Sequence, residues 1–444
     1  MIHTEEVSGR STADTIVRKL RSVGFQSYLV GGCVRDLLLG KPAKDFDVAT
    51  DAVPSQILSI FPSAQQVGAH FGVVLIDGVE VATFRSDCEY RDGRRPTAVH
   101  FETNPRQDAL RRDFTINALF LDPETEEILD YVDGRSDLRN GVVRAIRDPA
   151  VRFQEDYLRM LRAVRFAARL GFSIDPETAA AIRTLKSLVS LVAPERVRDE
   201  LVRILTEGGA RRGFELLDEL GLLPELLPEV ARMKGVQQPP EFHPEGDVWT
   251  HTLIMLDGLQ EPTPTLALGV LLHDVGKPPT FRVADRIRFD GHVEAGVAIA
   301  NDILARLRFS KEGIRQVEAL VANHMKFKDV PRMRESTLKK FLRQPAFEEH
   351  LELHRLDCSS SHNMLDNYEF VRDKQQEYGA VQIAPPPLLT GKDLIAAGYS
   401  PGPWFSTVLS AAEDAQLEGR ITTKEEALRL AEAMRPQTSE SAST

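Results

Sequence analysis

Cysteines and long hydrophobic runs are scarce in this chain of 444 residues. Its three cysteines, Cys33, Cys88 and Cys358, are far apart and lack the spacing of a metal site. A disulfide framework is therefore excluded, and a reducing cytoplasm is the predicted compartment. No run of about 18 apolar residues occurs, so we predict no membrane span. The first residues, MIHTEEVSGRS, lack the basic-then-apolar order of a signal peptide.

Basic residues are outnumbered by acidic ones, and the formal net charge is −11. This balance argues mildly against nucleic acid as a partner. Net charge says little about local fields, however. Residues 139–169 carry eight arginines against three acidic residues. Such a basic stripe on an acidic protein is compatible with a small, selective contact to RNA.

The order of strand and helix patterns predicts an α+β protein of several domains. Strand and helix patterns alternate within residues 27–148, including a helix over 113–120, and give a small α/β head. Helical patterns dominate after Asp148-Pro149 and give an all-α body. The predicted parts are an N-terminal helix at 1–26, the head at 27–148, a helical neck at 149–234, a third domain at 235–384, a C-terminal helical region at 385–435 and a disordered tail at 436–444.

Residues 28–51, YLVGGCVRDLLLGKPAKDFDVATD, hold the first candidate site. Gly31 and Gly32 stand between an apolar run and a helical pattern, which predicts a strand, a tight turn and a helix start. Bare backbone N–H groups at a helix start bind phosphate, and glycine lets the backbone approach it. Asp45 and Asp47 alternate with apolar residues, so on a strand both carboxylates point the same way. Paired carboxylates beside a phosphate suit Mg²⁺.

Each of these two features alone is common in turns and on solvated edges. Their order within twenty residues, G-G-x-V-R-D and then D-x-D, is far more specific. It resembles the signature of polymerase-β-type nucleotidyltransferases, in particular the class II tRNA nucleotidyltransferases and bacterial poly(A) polymerases. The segment R-R-D-F-T-I-N-A, residues 111–118, matches the second motif of that family, although alone it would indicate an exposed helix cap. The resemblance implies roles in metal binding for Asp45 and Asp47, in triphosphate binding for Gly32 and Arg35, and in nucleotide and sugar contacts for Arg112 and Asn117.

Two weaker features accompany these motifs. Glu80, in V-E-V-A-T-F, is a candidate third acid beside the metal. Residues 85–96 form a polar segment that by default is a solvated loop. In the family this place holds a flexible loop that assists addition of A, and the loop is not obviously shortened here.

The segment E-D-Y-L-R-M-L-R-A-V-R-F, residues 155–166, places an apolar stripe beside regularly spaced arginines. An amphipathic helix with a solvated charged face would show the same pattern. Asp156 and Arg159, at i and i+3, would be neighbours on one helix face. Asp accepts and Arg donates hydrogen bonds, so the pair complements the edge that cytosine and adenine share and rejects guanine and uracil. The segment matches the base-reading motif of the family, and the resemblance implies that Arg162 and Arg165 help to hold the nucleotide.

The third domain carries histidines and aspartates at the spacing of a second site. L-L-H-D-V-G-K and G-H-V-E-A-G resemble motifs of the HD phosphohydrolase superfamily, although a lone histidine is usually a satisfied or solvated side chain. Imidazole with carboxylate suits a transition metal better than Ca²⁺, and Mg²⁺, Mn²⁺, Co²⁺ or Ni²⁺ are the candidate ions. Lys277 is a candidate phosphate contact. By the resemblance one metal is ligated by His251, His273, Asp274 and Asp357, and a second is served by His292 and His324.

Residues 389–419 resemble the tRNA-contacting segment of bacterial family members. The combined motifs predict an enzyme that adds CCA to the 3′ end of tRNA from CTP and ATP with Mg²⁺, and that carries an HD phosphohydrolase domain. Enzymes adding only A, only C or a poly(A) tail stay open as alternatives. An inactive RNA-binding or regulatory protein is the alternative from another class. The oligomeric state stays open.

Overall fold

A computed structural model describes residues 2–43, 45–68, 72–87 and 98–435, with side chains from residue 9 onward. The chain forms two compact units. The first comprises residues 1–235, 256–267 and 302–310, and the second comprises residues 236–255, 268–301 and 311–444. Most of the predicted flexible loop and the predicted disordered tail lie outside the described residues.

Helices predominate among the described elements, and strands are short. The strands are β1 Ser27–Val30, β2 Asp47–Thr50, β3 Gln65–Gly68, β4 Val73–Ile76, β5 Val79–Thr83, β6 Arg85–Asp87, β7 Val99–Phe101, β8 Leu119–Leu121, β9 Ile128–Asp130, β10 Val142–Val143, β11 Ser173–Ile174, β12 Arg282–Val283 and β13 Ile287–Arg288. The helices are α1 Ile2–Ser22, α2 Gly32–Leu38, α3 Pro54–Ile60, α4 Pro105–Leu110, α5 Gly134–Asn140, α6 Pro149–Glu155, α7 Arg159–Leu170, α8 Pro176–Leu185, α9 Pro194–Thr206, α10 Ala210–Glu219, α11 Leu223–Leu226, α12 Pro228–Ala231, α13 Val248–Asp257, α14 Pro264–Leu272, α15 Lys277–Thr280, α16 His292–Arg306, α17 Lys311–Asn323, α18 Glu335–Leu342, α19 Phe347–Ser359, α20 Asp366–Ile383, α21 Gly391–Ala396, α22 Pro403–Leu417 and α23 Lys424–Ala433.

The head contains a seven-stranded sheet with the order β3-β4-β5-β2-β1-β8-β9. Strands β2 and β5 are parallel and place Asp47 opposite Glu80, whereas the other neighbours are antiparallel. The apolar face of α1 is buried through Ile16, Val17 and Leu20. Because β1 and β2 are antiparallel, the end of β1 lies beside the start of β2, and the glycine turn meets the aspartate motif there.

The helix predicted over residues 113–120 is wrong. Thr115–Asn117 forms a single 3₁₀ turn, and Leu119–Leu121 is strand β8. Short apolar runs do not distinguish a buried strand from a helix. Here Leu119, Phe120 and Leu121 are all buried, and β8 pairs with β1 inside the sheet. Pairing with β1 therefore decides the conformation.

The single helix predicted for residues 155–166 is also wrong. Helix α6 ends at Glu155, and α7 begins at Arg159. Asp156 lies between them in an extended conformation, and its carboxylate accepts a hydrogen bond from the backbone N–H of Leu158. Local capping by aspartate competes with helical hydrogen bonding, which explains the break. Asp156 and Arg159 therefore do not share one helix face.

The second unit is mostly helical, and its only described strands are the hairpin β12–β13. One of its cores lies around Phe327, Phe341 and Phe347, and another lies among α21, α22 and α23. The α+β class is confirmed. In the described part of the chain, no helix has the length and apolar character needed to cross a membrane.

Candidate functional site

A cavity of about 670 Å³ opens in the first unit where the sequence motifs converge. Eight arginines and four aspartates line it, so its walls favour an anionic ligand. Glycines and Phe166 complete the lining together with Asn117. The lining includes eight of the ten residues predicted for this site, which are Gly32, Arg35, Asp47, Arg112, Asn117, Asp156, Arg159 and Arg162.

Asp47 is the carboxylate that reaches this cavity. Burial and the nearby carboxylates of Glu80 and Asp45 raise the pKa of Asp47 to about 6, against the opposing charge of Arg112. Glu80 stands directly opposite Asp47 on β5. Carboxylates that raise the pKa of one another are groups to which a divalent cation can bind. Among the described residues, however, every group of three or more potential ligands within 4.8 Å of one another belongs to the second unit, so a metal ion at Asp47 stays a prediction.

Gly31, rather than Gly32, has the backbone conformation that only glycine adopts readily. Its φ is 80°, and it caps α2. A Cβ atom at Gly31 would lie 3.4 Å from Nη1 of Arg112 and 3.7 Å from Oδ2 of Asp47. The turn thus lets three motifs meet at one point. Sequence reasoning missed Gly31 as a site residue, although its position after a strand is a usable signal.

Buried hydrogen bonds hold the motifs together. Arg35 donates from Nε to Asp36 and from Nη1 to the Oδ1 atom of Asn117, at 2.8 and 2.7 Å. Arg112 donates to Asp108, which is fully buried. Arg35 and Asn117 are far apart in sequence, so this contact ties the glycine motif to the second motif.

Asp113 is a second residue that sequence reasoning missed. Arg162 donates to its carboxylate from Nε at 2.8 Å, and Asn117 donates from Nδ2 at 3.2 Å. Burial raises the pKa of Asp113, but the charge of Arg162 and the amide of Asn117 outweigh it and lower the pKa to about 2. Asp113 therefore connects the head to α7 as a charged group.

The predicted base-reading pair has further partners. Arg196 donates from Nη1 and Nη2 to the two carboxylate oxygens of Asp156, at 3.1 and 2.9 Å. Arg159 donates from Nη1 to Glu155 at 2.6 Å and to the carbonyl of Arg152 at 2.8 Å. Both side chains still line the cavity. The tertiary fold thus brings them to one wall without a shared helix face.

Asp45 and Arg165 are the two predicted residues that do not line this cavity. Asp45 is exposed and precedes β2. Arg165 is only 4% exposed and donates to Glu200 at 2.7 Å and to Glu207 at 3.3 Å. These contacts join α7 to α9.

The second unit brings the six residues of the predicted metal site together. The ligand atoms of these residues form two groups, and within each group all atoms lie within 4.8 Å of one another. The first group is His251, His273 and Asp357, and the second is Asp274, His292 and His324. The resemblance assigns Asp274 to the first metal, whereas the structure groups it with the pair predicted for the second. An oxygen of Asp274 also lies 3.1 Å from Nε2 of His273. Asp274 therefore lies between the two groups.

The imidazole rings are oriented as metal ligands are. Nδ1 of His273, His292 and His324 hydrogen-bonds the backbone carbonyl of Val270, Phe289 and Val321, respectively, at 2.7–2.9 Å. Among the described residues, Nε2 of His292 and of His324 is buried without a hydrogen-bond partner. Nε2 of His251 and of His273 is also buried and lies 3.1 Å from a carboxylate oxygen of Asp357 and of Asp274, respectively. Buried polar atoms without partners are costly, and a metal ion would satisfy them.

Further groups support this cluster. Glu245, which sequence reasoning missed, accepts hydrogen bonds from the rings of His251 and His243, at 2.7 and 2.9 Å. Lys277 lies 2.6 Å from Asp274. A Cβ atom at Gly276 would lie 2.0 Å from the carbonyl oxygen of His292, so only glycine permits this approach. A carboxylate behind a histidine is the usual support of a metal ligand.

Family models match three parts of the chain. They are described as "Poly A polymerase head domain", over residues 27–144, "Probable RNA and SrmB-binding site of polymerase A", over 171–234, and tRNA nucleotidyltransferase domain 2, over 293–431. The CCA-adding enzyme of Enterococcus faecalis is 32% identical over 428 residues, which cover 94% of this chain and 94% of that protein. This chain belongs to the CCA-adding enzyme family.

Other family members show the same relation. The CCA-adding enzyme of Bacillus pumilus is 40% identical over 265 residues, which cover 59% of this chain and 62% of that protein. The chain therefore spans about three fifths of the length of some of its relatives. The crystal structure of the Bacillus stearothermophilus CCA-adding enzyme in complex with CTP has a TM-score of 0.72 at 26% identity and covers 95% of this chain and 96% of its own. The resemblance of the head motifs to tRNA nucleotidyltransferases is thus confirmed.

Proposed function

We propose that this protein adds CCA to the 3′ end of tRNA, using CTP and ATP as substrates. The observation that carries the proposal is the arginine-lined cavity, where the glycine turn, Asp47, the second motif and the base-reading segment meet. A triphosphate is the anion that such walls suit. A relative of similar fold was solved with CTP bound.

Asp45 and Asp47 are the proposed ligands of Mg²⁺, and Glu80 is the proposed third acid. When bound, divalent metal supplies charge stabilisation for the transferring phosphoryl group. The chain itself would bind the triphosphate with Gly31, Gly32, Arg35 and the cavity arginines, and Asn117 would position Arg35 or contact the sugar. Arg165 pairs with Glu200 on α9 and would therefore help nucleotide binding indirectly, by holding α7 in place.

Asp156 and Arg159 are the proposed readers of the base. Arg196 holds the carboxylate of Asp156, and Glu155 holds the guanidinium of Arg159. Both side chains are therefore preorganised at the cavity, where the carboxylate of Asp156 accepts hydrogen bonds and the guanidinium of Arg159 donates them. This complementarity would select cytosine and adenine without a nucleic-acid template. Residues 149–234 and 385–435 are the proposed contacts for tRNA.

The test uses tRNA that ends at the discriminator base. CTP and ATP are supplied singly and together, and the 3′ ends are sequenced. We expect two C residues with CTP alone and CCA with both. Ends that carry only A, only C or a long A tail would instead identify one of the related activities, and unchanged ends would favour the inactive RNA-binding alternative.

We also propose that the histidine cluster is a separate metal-dependent phosphohydrolase. Four buried Nε2 atoms that converge with the carboxylates of Asp274 and Asp357 support this second function. The cluster would hold one or two ions such as Mg²⁺, Mn²⁺, Co²⁺ or Ni²⁺, with Lys277 close enough to contact phosphate. Candidate substrates are cyclic or terminal phosphates of RNA. Wild-type protein that hydrolyses no phosphoester with any of these ions would contradict the proposal.

A further inference from the structure

Two cavities flank the histidine cluster of the second unit. The larger has a volume of about 500 Å³ and the smaller about 270 Å³. Both are lined by His324, Met325, Lys328, Asp357 and His362. Asp357 and His324 belong to different ligand groups of the cluster. The cluster is therefore reached from a groove that extends to both sides, rather than from a blind pocket.

The two arms of this groove have different linings. The larger arm contains the aromatic side chains Phe242 and Phe289 together with Arg286. The smaller arm contains Met364 and Asn367. Phe242 is 46% exposed and Met364 is 53% exposed, so each arm offers an accessible apolar surface. Nucleobases stack on aromatic side chains such as those of the larger arm, and in the smaller arm a base would pack against Met364.

The cations of the groove offer contacts for phosphate, although Asp357 and Asp366 also line the smaller arm. Arg286 and Lys328 are exposed, and neither forms an ion pair within the described residues. Lys328 lines both arms. Cations without partners beside apolar surfaces are typical of proteins that bind single-stranded nucleic acid. A phosphomonoester would occupy the cluster and one arm and would leave the second arm unused.

We propose that the preferred substrate of the cluster is a linear phosphodiester within a nucleotide chain, with one nucleoside in each arm. The inference rests on the proposed phosphohydrolase and specifies its substrate class. In the reaction, a water oxygen bonds to phosphorus and one ester P–O bond breaks. The departing oxygen takes a proton, and the products are a phosphomonoester and a free hydroxyl. No oxidant or reductant is needed.

Hydrolysis of three substrates tests the proposal on the full chain with Mn²⁺. They are a linear dinucleoside monophosphate, a 2′,3′-cyclic nucleotide and p-nitrophenyl phosphate. We expect the linear diester to have the highest kcat/KM. Hydrolysis of only the cyclic or monoester substrate would overturn this inference and leave the phosphohydrolase in place, whereas no hydrolysis at all would overturn both.

A variant isolates the smaller arm. Met364→Asp should remove the apolar contact, add a negative charge and lower the ratio of kcat/KM for the linear diester over the monoester about tenfold, the equivalent of one lost base contact. Val381→Asp is the matched control, because Val381 is 76% exposed and lines neither cavity. A ratio that stays the same in both variants would overturn the assignment of the arm.

A binding measurement without metal gives a second readout. Protein with ¹³C-labelled methionine methyl groups is titrated with the linear dinucleoside monophosphate in a chelating buffer, and Met364 is assigned with Met364→Leu. The methyl signal of Met364 should shift with the dinucleotide and stay in place with a nucleoside 5′-monophosphate. The same response to both ligands, or to neither, would contradict a nucleoside in the smaller arm.

Discussion

Asp45 and Asp47 are two residues apart in sequence, but their surroundings differ. Asp47 begins β2, lines the cavity and faces Glu80 across the parallel pairing. Asp45 precedes the strand and is exposed, although its charge still contributes to the raised pKa of Asp47. Strand alternation alone would have made the two carboxylates equivalent. The structure instead places only Asp47 on the strand and at the cavity.

Replacing Asp47 by alanine should reduce Mg²⁺-dependent nucleotide addition by orders of magnitude, because charge stabilisation supplies most of the catalysis. Binding of tRNA should change little. Single-turnover addition and tRNA affinity are the measurements, with Asp45→Ala tested in parallel. Glu127→Ala, at an exposed position of the head, is the control. Near-normal addition by Asp47→Ala would contradict the metal assignment.

Replacing Asp156 or Arg159 by alanine should narrow the preference for CTP over UTP on a tRNA ready for its first C. A lost hydrogen bond to a charged group is worth about 1.5–3 kcal/mol, and a polar site left unpaired rejects its substrate. The ratio of kcat/KM for the two nucleotides is the measurement, and Arg203→Ala, exposed on α9, is the control. A ratio within about threefold of wild type in both variants would show that the pair is structural.

Asp113→Asn should destabilise the protein in a pH-dependent way. The folded pKa of Asp113 is about 2 and the ordinary value is 3.8. The ionised group therefore adds stability above pH 3.8, and this contribution is lost as the pH falls towards 2. The difference between the two pKa values corresponds to about 2 kcal/mol of folding stability at neutral pH. Urea unfolding at several pH values should show the gap between variant and wild type closing in acid.

Helix α6 connects the second motif to the segment proposed to read the base. The guanidinium of Arg152 on α6 donates to the backbone carbonyls of Arg111 and Arg112 and pairs with Glu155. Glu155 in turn accepts from Arg159. A chain of contacts thus runs from the second motif to Arg159, the arginine proposed to read the base.

Arg152→Met should preserve the bulk of the side chain and remove these hydrogen bonds. Two buried carbonyls and Glu155 would lose a donor, so the free energy of unfolding should fall by about 1.5–3 kcal/mol. The preference for CTP over UTP should narrow as well, because Arg159 would be less well fixed. Arg139→Met, at an exposed position on α5, is the control. A lower free energy of unfolding with an unchanged preference for CTP would show that Arg152 stabilises the fold and does not position Arg159.

The two activities proposed for the whole molecule should be separable. The double variant His273→Ala, Asp274→Ala should lose phosphoester hydrolysis and retain CCA addition, whereas Asp47→Ala should do the reverse. The ligands of the two sites belong to different units. Both reactions are measured on each variant, and circular dichroism checks the fold.

Metal binding provides an independent measurement of the same separation. Wild type should gain thermal stability with Mn²⁺ or Ni²⁺, because the ion would satisfy the buried Nε2 atoms. The double variant should show less of this gain. Loss of CCA addition in a folded double variant would contradict the independence of the two sites.

The sequence by itself determined the fold class and the family, and it predicted residues for two sites. Motifs such as G-G-x-V-R-D and D-x-D are local, because a glycine turn, a helix start and a strand each depend on a few adjacent residues. Eight of the ten residues predicted for the first site line one cavity. Side-chain chemistry likewise predicted the histidines and aspartates of the second unit, whose ligand atoms lie within 4.8 Å of one another in groups of three.

Only the tertiary structure decided which residues are partners. Residues 113–120, predicted as a helix, contain a 3₁₀ turn and strand β8, because β1 provides hydrogen-bond partners for the backbone of β8. Asp156 lies outside the helices, where it accepts hydrogen bonds from the backbone of Leu158 and from Arg196. Arg165 donates its hydrogen bond to Glu200 on α9. Asp113 and Glu245 acquire their roles only from side chains distant in sequence. Local patterns specify residue types and turns, whereas burial and long-range pairing select among the conformations that those patterns allow.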